Sequence, residues 1–202
     1  MQTELVLAFL IVFTLDSVSP GPAVAAVMAR AAARGVTRTL PFVTGLVVGD
    51  LVLLFLALAG LAALAQAMGP AFAVIKWAGV AYLLYMAWQL WRAAPGATDA
   101  GSGADAEGGF WIGALLPLGN PKAIGFYVAI LPSVFDTGGL SWPTIGALVA
   151  IVVLVWWAVL AAYALLAAQA RRLATGPTGL RLLNRASALG LTGAAATIAV
   201  RQ

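Results

Sequence analysis

Apolar residues fill this chain in long unbroken runs instead of recurring at one helical or strand face. Positions 51–75 and 137–170 carry no charged residue. A helix needs about 20 residues at about 1.5 Å each to cross a bilayer, so both runs predict crossings. Allowing single interior charges, which membrane helices keep mainly for function, adds four segments near 4–18, 72–91, 110–131 and 182–200. The pattern predicts an all-α integral membrane protein with six transmembrane helices. The first runs past a proline cluster toward Arg34, the second is drawn over 40–64 and the fifth over 142–168.

Between the third and fourth segments, positions 93–108 contain Pro95, Gly96, Gly101 and Gly103 and no bulky apolar side chain, the composition of a flexible linker. It divides the chain into a first three-helix repeat, 1–92, and a second, 109–202. With three crossings per half, the second half enters the membrane from the opposite side, which predicts two inverted repeats. Arg30, Arg34 and Arg38 follow the first span, Arg92 ends the third, and Arg171, Arg172, Arg181 and Arg185 separate the fifth from the sixth. Short loops rich in arginine stay in the cytoplasm, so both termini are expected outside a cytoplasmic membrane. The first segment holds Glu4 and no basic leader, and is expected to remain as a helix and not to be cleaved.

Composition narrows the chemistry. Hydrophobic residues make up 63% and charged residues 9%, with a mean hydropathy of +1.01, against about 45–50% and about 25% in soluble domains. The absence of cysteine and histidine removes thiol redox chemistry, haem attachment and the usual zinc and copper ligands, so no metal or cofactor is expected. The net charge of +4 is read as membrane orientation and not as nucleic-acid binding.

Two helices are expected to break. Ser17-Val18-Ser19-Pro20-Gly21-Pro22 interrupts the first segment and Pro117-Leu118-Gly119-Asn120-Pro121-Lys122 the fourth. Proline lacks the N–H a helix needs and restricts its predecessor. Asn120 with Pro121, and Gly21 with Pro22, suit the start of a new helix. Each restart would direct the positive end of a helix into the membrane, and two matched ends suit a carboxylate.

Asp16, Asp50 and Lys122 lie about 10–13 residues from the start of their spans, roughly 15–20 Å deep at about 1.5 Å per residue. A lone charge at that depth is costly, so the three are expected to share a polar cavity. Two carboxylates and one ammonium leave one negative charge, which suits a zwitterion or a proton. Lys76 lies near a span end and is read as snorkelling to the interface. Trp77, Tyr82, Tyr85, Trp88, Trp91, Trp156 and Trp157 are read as packing and interfacial anchors. Gly45-x-x-x-Gly49 and Gly109-x-x-x-Gly113 permit close helix contact and leave a homodimer open. An intramembrane aspartyl protease is set aside, because Val47 stands where its motif needs glycine and no second motif aspartate occurs.

These residues together resemble the LysE/RhtB family of amino-acid exporters over nearly the whole length. The likeness is carried by Ser19-Pro20-Gly21-Pro22, by Gly35, Gly45 and Gly49-Asp50, and by the run from Lys76 through Trp77, Gly79 and Tyr82 to Tyr85. Asn120-Pro121-Lys122-Ala123, Phe126-Tyr127 and Leu131-Pro132 complete it. The resemblance implies a secondary transporter, not an enzyme, that exports amino acids or close derivatives across the bacterial inner membrane, driven by the proton or ion gradient. An inorganic ion exporter on the same fold is the alternative. The expected binding residues are Asp16, Ser19, Gly21, Asp50, Asn120 and Lys122, with helix breaks at Pro20, Pro22 and Pro121. The expected partners are the amino-acid substrate, a coupling proton or ion, and membrane lipid.

Overall fold

Proline and glycine decide where the helices stop. The computed structural model describes residues 2–59, 69–92, 104–135, 140–173 and 176–200, and among these all regular structure is helical. Helix α1 (Gln2–Val18) and helix α2 (Pro22–Arg34) meet at 53°. At the break the Ser19 N–H turns back to the carbonyls of Leu15 and Asp16, and Pro22 takes the first turn of α2. Among the described residues Gly35 alone has a positive φ, 83°, a conformation open to glycine at no steric cost. It ends α2, its N–H reaching the Ala31 carbonyl at 2.9 Å. Arg171 donates to the Ala32 and Ala33 carbonyls beside it, satisfying backbone that a helix end leaves bare.

After Gly35 come α3 (Val36–Leu58), α4 (Gly69–Arg92) and α5 (Ala104–Leu115), then a 3₁₀ turn over Pro117–Gly119 and α6 (Pro121–Val134). Helix α7 (Trp142–Leu173) is continuous through a π-helical turn at Val152–Trp156, and α8 (Gly176–Val200) closes the bundle. By length and composition α3 and α7 can each cross a membrane, and the bent α1/α2 pair adds a third crossing if the two helices form one span. The architecture is that of a multi-pass helical membrane protein.

Three boundaries differ from expectation. The second span starts at Val36 instead of 40, because the turn at Gly35 sets it and Thr39 bonds its hydroxyl to the Gly35 carbonyl at 2.8 Å; its expected end at 64 lies outside the described residues. The fifth runs to Leu173, past 168, so that Arg171 reaches α2 while still helical. Helix α5 begins at Ala104, inside the stretch 93–108 read as linker, because Ala104-Asp105-Ala106-Glu107 puts helix formers and acidic groups in a first turn. Positions 93–103 and the Lys76 side chain lie outside what is described.

Helix α3 packs along α5, α4 along α8, and α2 against both α7 and α8. The first contact is backbone on backbone. A Cβ on Gly45 or Gly49 would collide with the carbonyl of Phe110 or Ala114, and one on Gly113 with the carbonyl of Phe42. The glycine spacings thus join two helices of one chain, and their faces are not available to a second copy. One apolar cluster gathers Val27, Phe42, Leu46, Leu83, Leu160 and Leu191 among others; a second gathers Phe9, Phe13, Leu53, Phe126, Leu131 and Leu148. Asp50 falls on α3 between the two.

Gly113→Ala is expected to lower the melting temperature of the detergent-solubilised protein, at a cost on the order of 1–3 kcal/mol for overpacking. Gly146→Ala, where an added Cβ meets nothing within 4 Å and alanine favours the helix, is expected not to lower it.

Candidate functional site

The two breaks come together through one lysine. Lys122, in the first turn of α6, reaches across to the end of α1. Its Nζ donates to the carbonyls of Asp16 at 2.8 Å and Ser19 at 3.1 Å, and lies 3.3 Å from Asp16 Oδ1. The carbonyls at the end of α1 therefore receive a cation, as the negative end of a helix favours. Tyr163 Oη adds a bond to the Val18 carbonyl at 2.8 Å. The Lys122 and Asp16 side chains are each about one-third exposed, so the pair sits at the edge of a cavity and is not sealed in the core.

The two restarted helices differ at their first turns. Asn120 caps α6, its Oδ1 accepting from the Lys122 N–H at 3.1 Å. Helix α2 begins at Gly21 with no side-chain cap, so N–H groups in its first turn remain open to an anion. A Cβ on Gly21 would touch Lys122 Cδ at 3.5 Å; without it, the lysine lies directly over this helix end.

A small inner chamber of about 30 Å³ is lined by Asp16, Ser17, Asp50, Asn120, Tyr127 and Trp156 among others. It shares Ser19, Gly21, Asn120 and Lys122 with an outer chamber of about 480 Å³ between α2 and α8, which Pro20 and Pro22 also line. The outer chamber falls within the size of small-molecule sites; the inner one holds little more than a water-sized group. Asp50 is 5% exposed, and among the described residues no ion pair is made to it. No three His, Cys, Asp or Glu side chains gather in one place among the described residues.

All the expected positions meet here: Asp16, Ser19, Gly21, Asp50, Asn120 and Lys122 line the cavities, and Pro20, Pro22 and Pro121 stand at the breaks. Tyr127 and Trp156 were not expected as site residues. Trp156, read as a packing or anchoring residue, does pack against the apolar clusters and also closes the π-helical turn of α7 beside Asp50. Its place near the middle of a crossing helix was the available signal, since anchoring tryptophans sit at the interfaces. Arg30 is also displaced from expectation. It is buried in α2 and not in a loop, donating to Tyr82 Oη at 2.5 Å with its guanidinium 4.9 Å over the Phe42 ring.

Residues 14–202 match the model of the LysE type translocator family. The chain is 35% identical over 146 residues to a leucine efflux protein of Enterobacter sp., covering 70% of this chain and 66% of that one. It is 31% identical over 189 residues to the homoserine/homoserine lactone efflux protein of Salmonella typhimurium, covering 92% and 91%. An uncharacterized membrane protein of Vibrio cholerae is 28% identical over 187 residues, covering 92% and 91%. No solved structure matches the chain.

Asn120→Ala is expected to destabilise the protein by about 0.5–2 kcal/mol, as loss of a helix cap does, and Asn120→Asp to retain most of the stability. Thermal melting in detergent measures both.

Proposed function

The chain belongs to the LysE type translocator family, and we propose that it exports amino acids or close derivatives across a bacterial cytoplasmic membrane by alternating access, as an antiporter driven by the proton gradient. The observation that carries this reading is the convergence of both helix restarts, at Pro22 and Pro121, on one cavity with Asp16, Asp50 and Lys122. Relatives named for leucine and for homoserine efflux support the substrate class.

In this scheme the substrate carboxylate lies at the uncapped first turn of α2, beneath Lys122. Its ammonium meets Asp50, because Asp16 is already engaged by Lys122. Asp16 carries the coupling proton, and protonating it loosens the hold of Lys122 on the end of α1. The two halves, 1–92 and 109–202, act as inverted three-helix repeats, with both termini outside. The matched breaks support that arrangement, as does the packing of α4 on α8, which puts the third helices of the two halves side by side.

The test is counterflow in proteoliposomes preloaded with unlabelled amino acids, using the purified full chain beside Asp50→Asn and Lys122→Ala. Labelled leucine or homoserine is expected to accumulate, and each substitution to reduce the rate at least about tenfold, since truncating a charged contact costs more than about 1.4 kcal/mol. Folded protein that exchanges no amino acid, but is stabilised against heat by an inorganic ion, would move the function to ion export. If Asp50→Asn with Asp16→Asn left exchange and its pH dependence intact, the assigned carboxylate roles would be wrong.

A further inference from the structure

Tyr127 and Trp156 line the inner chamber and have no task in the scheme above. Tyr127 Oη is buried with no hydrogen-bond partner among the described residues, and Tyr127 is only 1% exposed. Buried polar atoms are nearly always paired, and an exception calls for a cause. This one lies on the lining of a small space that Asp50 and Trp156 share, which points to an occupant.

The donor and acceptor inventory limits what that occupant is. The indole N–H can only donate and stands beside the Asp50 carboxyl, where it orients an acceptor. The phenol oxygen can also accept. The Asp16–Lys122 pair is neutral as a unit, so an ionised Asp50 would take a cation of its own. The volume, about 30 Å³, admits a group the size of one water, for which at least about 10–15 Å³ is needed on this measure. A primary ammonium is cationic, water-sized and has three protons to donate.

We propose that Asp50, Tyr127 and Trp156 form a small subsite for a primary ammonium group, with Tyr127 accepting one of its protons and Trp156 positioning the Asp50 carboxylate. The small chamber takes a bare ammonium more readily than an N-alkylated one, so the subsite selects primary over N-substituted amino acids. This assignment rests on the amino-acid reading and deepens it.

The experiment is counterflow of labelled leucine, or of homoserine where leucine is not exchanged, by the full chain in proteoliposomes. The competitors are leucine, N-methyl-leucine and 4-methylpentanoate. N-Methyl-leucine is expected to compete at least about tenfold more weakly than leucine, and 4-methylpentanoate, which lacks the ammonium, to compete weakly as well. Tyr127→Phe, which keeps the ring and removes the oxygen, is expected to raise the half-inhibitory leucine concentration about tenfold, in the range for a hydrogen bond to a charged group. Tyr85→Phe, on the exposed face of α4, is the control and should behave as wild type. Equal competition by N-methyl-leucine, or a Tyr127→Phe protein with wild-type half-inhibition and melting temperature, overturns the subsite while amino-acid exchange stands. Absence of any leucine or homoserine exchange by folded protein overturns the reading beneath it.

Discussion

A helix that stops at a break leaves its last carbonyl groups without an intrahelical partner, and each needs a donor from elsewhere. At the end of α1 that donor is Lys122, which holds the carbonyls of Asp16 and Ser19 and the Asp16 carboxylate together. The lysine stands in the first turn of α6, so satisfying one broken helix fixes the start of the other. The cavities follow from this. The lysine passes over Gly21, Asn120 caps the first turn of α6, and Asp50 is left facing the space between.

The apolar residues are arranged around the same point. Phe9, Phe13, Phe126 and Leu131 pack on one side and Val27, Phe42, Leu46 and Leu160 on the other, with Ser17, Asp50 and Asn120 buried where the clusters approach each other. Trp156 packs against both clusters and brings its polar edge to the seam. The π-helical turn that carries it is wider than an α-turn, and such turns recur at functional sites.

Much of this was legible from the sequence, for identifiable reasons. Proline acts on backbone through its missing N–H whatever surrounds it, so the breaks at Pro20, Pro22 and Pro121 could be read directly. Depth along an apolar helix is a matter of counting residues, so Asp16, Asp50 and Lys122 could be placed at one level. Which carboxylate takes the lysine could not be read, because it depends on how α6 crosses the end of α1. Tyr127 and Trp156 were missed since aromatic residues serve packing, anchoring and binding alike, and only a three-dimensional lining separates these uses. Arg30 was assigned to a loop on charge alone, whereas Tyr82 and Phe42 draw it inside. Helix starts were misjudged where polar residues lie within a helix, as in the first turns of α3 and α5.

The glycine contact between α3 and α5 bears on how such a molecule can move. With Gly45, Gly49 and Gly113 bringing main chain against main chain, the two helices interlock too closely to slide, and any change of shape carries them as one body. Yet α3 comes before the segment 93–103 and α5 after it. A unit built on this contact therefore does not coincide with either half of the chain: it takes one helix from each, and the backbone interruptions at Ser19–Gly21 and Leu116–Asn120 lie outside it.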